Sequence, residues 1–202
     1  YQFGGGFGMV MKPEPIFEAV EDTLSRVPTN ERGAVPIILM SPQGETIDQQ
    51  MVEDLSHTGE LVLICGHYAG VDQRVRKHLI TREVSIGDYV LTGGELAAMV
   101  LIDSVSRFID GVVGSQENVL EDSITSGLLQ HPLYTRPADF REFSVPEILR
   151  SGNHGEIERW RRHQSLRATL EKRPDLLAKA NLTSNDLAFL QSLGWASPNS
   201  QD

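Results

Sequence analysis

Glu83-Val84-Ser85-Ile86-Gly87-Asp88-Tyr89-Val90-Leu91-Thr92-Gly93-Gly94-Glu95-Leu96 decides how this chain folds. A strand-like segment over residues 84–91 ends in two glycines. A helix apolar on most sides then opens, expected over residues 95–108. Adjacent glycines leave no side chain where something must approach the backbone closely or where φ must be positive. The helix start beyond them offers N–H groups with no partner inside the helix. In open α/β sheets such turns lie at the carboxyl edge of the strands, where nucleotide-like ligands bind.

Two similar turns lie upstream. Ser41-Pro42-Gln43-Gly44 follows the apolar run 35–40 and reads as a tight turn. Cys65-Gly66-His67-Tyr68-Ala69-Gly70 closes the apolar run 61–65. Helices are expected over residues 46–56 and 72–80. Another starts near Pro13 and Pro15, with Ile16, Phe17, Val20, Leu24 and Val27 on one face. Strands alternating with helices imply an α/β fold with a parallel sheet covered on both faces. Taken singly, Gly44 reads as a plain turn glycine, and Gly93-Gly94 as a strand exit or a helix cap. Three such turns on one sheet edge favour a shared site.

Composition narrows the class. The chain has 202 residues, a net charge of −10 and one cysteine. That balance argues against a surface coated in basic residues, though not against a local basic site. A lone cysteine, Cys65, forbids a disulfide within the chain and suits a reducing, cytoplasmic setting. No run of about 18 apolar residues exists, so no membrane span is expected. The opening Gly4-Gly5-Gly6-Phe7-Gly8 reads equally as a flexible tail or as a loop holding a flat ligand against aromatic rings and bare backbone.

The character changes after residue 114. Residues 115–126 are polar and acidic and read as a flexible linker between an α/β domain over 1–114 and a small all-helical domain over 127–202. Trp160, Leu166, Leu170, Leu177, Phe189 and Leu190 are among its core candidates, and Thr183 with Asp186 resembles a capping box. Arg150, His154, Arg159, Arg161, Arg162, His163, Arg167, Lys172 and Arg173 cluster here. They form either a solvated helix face or a positive stripe for phosphates.

Taken together, the three turns just described, Ile102-Asp103-Ser104-Val105-Ser106-Arg107-Phe108, Tyr134-Thr135-Arg136-Pro137 and Ser151-Gly152-Asn153-His154 resemble, in this order, the bacterial tRNA (guanine-N1)-methyltransferases of the SPOUT superfamily. The resemblance runs from Gly4 to about Leu170. It implies a parallel sheet with a deep trefoil knot and a small helical domain that binds tRNA. It implies a cytoplasmic homodimer with active sites at the subunit interface. The activity implied is transfer of the methyl group of S-adenosylmethionine to N1 of the guanine 3′ of the anticodon, position 37; a magnesium ion is an open addition. The family carries a further strand ahead of this glycine loop, so that strand is expected to be missing from these residues. Ala69 stands where the family usually has Glu, and Ala97 where it has Pro.

The resemblance also assigns roles. Asp122 is implied as the base that takes the N1 proton, and Arg107 as the guanidinium that stabilises charge on the guanine, the two acting from opposite subunits. Locally, Asp122 reads as a solvated acid beside Glu121, and Arg107 as a helix-terminal arginine. The methyl donor is implied to sit among Leu39, Met40, Ser41, Pro42, Gln43, Gly44, Gly66, Gly70, Ile86, Tyr89, Leu91, Gly93 and Gly94. Contact with tRNA is implied for Gly4, Gly5, Gly6, Arg136, His154, Arg159 and Arg162. No resident metal site is expected.

Two other readings stand beside this one. A truncated or degenerate relative would bind cofactor or tRNA without turnover. A Rossmann-type enzyme would need a Gly-x-Gly-x-x-Gly turn after a strand with an acid about twenty residues on, which the chain lacks. It also lacks a Gly-x-x-x-x-Gly-Lys phosphate loop and Cys/His spacing for zinc.

Overall fold

β1 (Ile37–Thr46) is the centre of a three-stranded sheet, with β2 (Val62–Cys65) on one side and β3 (Arg82–Ser85) on the other. Both pairings are parallel. The computed structural model describes residues 2–113 and 122–196. The chain divides into two units, residues 1–114 and 115–202.

Residues 37–41 of β1 are all buried, because helices cover both sheet faces. The period of two sorts them. Ile37 and Leu39 join Ile64, Val71 and Val75 against α1 (Pro13–Ser25), which contributes Ile16 and Val20. Ile38 and Met40 face the other way, with Val84, toward α2 (Gln49–Ser56) and α4 (Glu95–Ser106). Leu101 of α4 is fully buried. Truncating such a residue to Ala costs about 2–5 kcal/mol. α2 begins at its cap, where Asp48 accepts a hydrogen bond from the Met51 amide at 2.9 Å. α3 (Gln73–His78) begins in the same way, with Asp72 accepting from the Arg74 amide at 2.9 Å.

Two expected elements are drawn differently. Ser41-Pro42-Gln43-Gly44 is not a tight turn. Met40 and then Glu45 both pair with Val84, so the four residues between them leave the ladder as a bulge within β1. Pro42 cannot donate a ladder hydrogen bond. Gly44 passes so close to β3 that a Cβ there would lie 2.4 Å from the Val84 nitrogen. The third strand, expected over 84–91, ends at Ser85. There the Ser85 hydroxyl accepts from the Gly87 amide at 3.1 Å, and Gly87 turns at a φ of 144°. Residues 86–91 become a loop, which frees them for the site.

The second unit has its own core. α5 (His154–Lys172), α6 (Pro174–Leu177) and α7 (Ser184–Ser192) gather Leu166, Leu177 and Leu190, with Leu128 beneath them. Thr183 and Asp186 form the reciprocal cap at the start of α7. Thr169, fully buried, donates to the Ser165 carbonyl at 2.7 Å and accepts from the Leu129 amide at 2.9 Å. A ribbon that the sequence reading lacks joins β4 (Asp139–Phe140) to β5 (Phe143–Ser144), turning at Arg141 with a φ of 56°. Strands of two residues carry too little alternation to be read from a sequence. Of the expected linker, residues 115–121 lie outside the described residues, as do 197–202 of the domain after it. Within residues 122–128, the Ile124 amide donates to the Leu128 carbonyl at 2.7 Å. Among the described residues no helix is long and apolar enough to cross a membrane.

Candidate active site

The bulged segment of β1 and the loops leaving the carboxyl ends of β2 and β3 enclose a cavity of about 200 Å³. Leu39, Met40, Ser41, Pro42 and Gln43 form one wall, Gly66 and Gly70 a second, and Ile86, Tyr89, Leu91, Gly93 and Gly94 a third. Of the residues assigned to the methyl donor from sequence, only Gly44 stands back, pressed against β3.

The second and third walls are tied together. Gly94 donates its amide to the Gly66 carbonyl at 2.9 Å, and His67 bridges to Gly93 in antiparallel fashion. Bare backbone lets the His67 and Glu95 side chains close over Gly93. A Cβ on Gly93 would stand 2.5 Å from Cε1 of His67. His67 Nε2 lies 2.5 Å from Oε1 of Glu95, the first residue of α4. The Glu95 carboxyl is held below its usual range, first by its own backbone amide and then by His67.

Arg76, on the cavity lining, belongs to an ion pair that sequence reading missed. Arg76 Nη1 donates to Glu83 Oε2 at 2.5 Å and to Gln43 Oε1 at 3.1 Å, while Nη2 donates to Ser41 Oγ at 3.4 Å. The Arg76 and Glu83 side chains are both mostly buried. This network fixes the bulged segment of β1. Arg76 belongs to a helix and Glu83 to a strand, so no local pattern links them.

The glycine-rich opening runs beside the second wall. Ala69 donates its amide to the Met9 carbonyl, and Met11 donates to Gly70, both at 2.9 Å. Gly4, Gly5 and Gly6 have φ of 81°, 76° and 132°, and Phe3 and Phe7 are fully exposed. Arg107 caps the end of α4, whose Leu96, Met99, Val100 and Ile102 are exposed apolar residues. Among the described residues no three His, Cys, Asp or Glu side chains gather to hold a metal.

The model of the tRNA (guanine-1)-methyltransferase family, described as TrmD, matches residues 1–179. The chain belongs to that family. It is 58% identical over 193 residues to the tRNA (guanine-N(1)-)-methyltransferase of Moorella thermoacetica, covering 96% of this chain and 76% of that relative. It is 54% identical over 191 residues to the one of Dehalococcoides mccartyi, with 95% and 75% covered. Against the one of Halalkalibacterium halodurans it is 52% identical over 193 residues, with 96% and 77% covered.

In the second unit of this methyltransferase-family chain the assigned RNA-contacting residues part ways. Arg162 is bound inward: Nη2 donates to Asp186 Oδ2 at 2.9 Å and Nε to Oδ1 at 3.1 Å. Burial raises the Asp186 pKa, but hydrogen bonds from Arg162 and from the Thr183 amide and hydroxyl outweigh it and bring it to about 2. Arg159 pairs with Glu156 at 3.2 Å. Arg136 and His154 line an open cleft on this unit. Asp122 lies in the turn that precedes Leu128.

Proposed function

We propose that this chain transfers the methyl group of S-adenosylmethionine to N1 of the guanine 3′ of the anticodon in tRNA. The observation that carries the reading is the three-walled cavity at the carboxyl edge of the sheet, in a chain of this family. Apolar side chains from Leu39, Ile86 and Leu91 suit the faces of an adenine, and the backbone at Gly66, Gly93 and Gly94 suits its polar edge. The bare cradle at Gly93 and Gly94 fits a ligand that lies against main chain. S-adenosylmethionine bound there supplies a methyl group on a positively charged sulfur, which leaves as a neutral thioether.

The chain's own residues prepare the acceptor. Guanine N1 carries a proton and is a poor nucleophile until it leaves. Asp122 takes that proton. Arg107 stabilises the charge that builds on O6 as the N1 lone pair is freed. In this reading the two are contributed by opposite subunits of a homodimer, whose contact covers the exposed apolar residues of α4. Gly4, Gly5 and Gly6 admit the target base beside the cavity, and the helices of the second unit bind the tRNA body. Arg162 is left out of that contact, because its guanidinium is committed to Asp186.

The fold in this reading includes the trefoil knot. The Gly94–Gly66 hydrogen bond supports it by drawing the segment after β3 onto the loop after β2. The protein works in the cytoplasm, where its tRNA is. A magnesium ion beside the base is a further part of the reading, tested by chelation and re-addition.

The deciding experiment is transfer of labelled methyl to a tRNA transcript with guanine 3′ of the anticodon, for this chain beside Asp122→Ala. Label at N1 with the first and none with the second establishes the reaction and its base. No label with either overturns the reading. Label with both keeps the reaction and removes Asp122 from it.

A further inference from the structure

The second unit carries an open cleft of about 720 Å³. Its floor is apolar: Ala138, Val145, Leu149 and Ile157 are half-buried along it. The Val145 amide donates to the Ala138 carbonyl at 2.8 Å, which ties the floor to the base of the β4–β5 ribbon. Tyr134 stands on the lining, half-exposed, with its ring tilted at 50° to Trp160 and 6.5 Å from it.

The rim is cationic. Arg136, Arg150 and Arg161 line it, with His131 and His154, and Glu158 is the one carboxylate of the lining. Six of the eight arginines of this unit show the contrast between the cleft and its surroundings. Arg159, Arg162 and Arg173 are paired with Glu156, Asp186 and Asp175. Arg136, Arg150 and Arg161 have no carboxylate within 4.0 Å among the described residues. Three guanidinium groups with no carboxylate in contact, set around an apolar floor, are matched to a ligand with an anionic end and a flat face. A nucleotide has both, and the planar fork of Arg fits phosphate.

We propose that this cleft is a subsite for one unpaired nucleotide of the tRNA. Its phosphate lies on Arg136, Arg150 and Arg161, and its base lies over the floor against Tyr134. The proposal rests on the tRNA-methylating reading above for the identity of its ligand. An acidic peptide would also meet the three charges, but it has no use for an aromatic ring beside a flat floor.

The test is fluorescence anisotropy of labelled tRNA transcript against the whole chain over a range of salt. The proteins are the unsubstituted chain, Arg150→Ala, Arg161→Ala, Tyr134→Ala and Glu158→Gln. Each arginine variant is expected to bind about tenfold more weakly, with a salt slope shallower by about one. Tyr134→Ala is expected to bind about tenfold more weakly with the slope unchanged. Glu158→Gln is expected to bind no more weakly, and KM for S-adenosylmethionine stays the same throughout. The substituted side chains are solvent-exposed, and circular dichroism checks that each variant folds. If the unsubstituted chain methylates tRNA and the arginine variants keep its affinity and slope, the cleft proposal is overturned while the reaction stands. If tRNA binding weakens in the variants but the unsubstituted chain methylates nothing, the reaction falls and the cleft stands. A chain that binds no tRNA overturns the cleft as well.

Discussion

The amide of Gly94 donates to the carbonyl of Gly66 across 2.9 Å, tying the turn after β3 to the turn after β2. The contact exists because neither glycine brings a side chain to it. A Cβ on Gly94 would stand 2.9 Å from the Cα of Cys65 and 3.1 Å from the Gly66 nitrogen. Main chain cannot swing aside as a long side chain can.

Gly94→Ala is therefore expected to part the two turns, at a cost of about 1–3 kcal/mol. If that cost falls on the ligand-bound form, affinity for S-adenosylmethionine drops by about five- to 150-fold, since 1.4 kcal/mol is one decade. Calorimetric titration with the methyl donor reads this directly. An unchanged affinity would show that the ligand does not use this cradle.

The His67–Glu95 pair gives the first unit an acid-sensitive contact. The folded-state pKa of Glu95 is depressed below 4.5. Its contribution is therefore fully present above that value and is lost as pH falls through the folded value. Glu95→Gln lacks this titration. Urea midpoints of the two proteins should differ above pH 4.5 and converge well below it. A constant difference across that range would contradict the linkage.

Asp186 does the same for the second unit, more strongly. Its pKa falls from 3.8 to about 2 on folding. Stability from this group is present above 3.8 and is lost as pH drops through about 2. Asp186→Ala also removes the α7 cap and strands Arg162, and should cost about 2–3 kcal/mol in chemical denaturation at neutral pH. Thr183→Ala, which removes only the cap hydroxyl, should cost about 1 kcal/mol.

Met99 is 63% exposed on α4, so a charge there leaves the core of its own subunit intact. If the homodimer proposed above forms through this helix, Met99→Lys should yield a folded monomer by light scattering where the unsubstituted chain is a dimer, with methyl transfer lost alongside. An unaltered mass would move the subunit contact away from this helix.

Much of the first unit was legible, because its signals are local. The helical face of Ile16 and Val20, the apolar runs of β1 and β2, and the paired glycines before α4 each report on their immediate neighbours. The Thr183–Asp186 cap was legible for the same reason, as a spacing of three. What was hidden is pairing at a distance. Ser41–Gly44 has the composition of a turn, yet β3 draws Glu45 back into register with Val84 and makes it a bulge. Arg162 looked like one more cation in a basic stripe until Asp186, 24 residues on, claimed it. Arg76, which lines the cavity, is paired with Glu83 from a second element with which it shares no periodicity. The cleft around Tyr134 likewise needs the ribbon, a short 3₁₀ turn (Glu147–Arg150) and α5 to meet.

Cys65, the chain's one thiol, ends β2 immediately before the cavity glycine Gly66. Burial raises its pKa, and the charge on Glu95 raises it further. Reactivity toward oxidants and electrophiles belongs to the thiolate, so this sulfur is kept in its inert form. The outcome is chemical durability. On the proposed function, a thiol held protonated one residue from the cavity lining is a poor nucleophile toward a bound methyl donor.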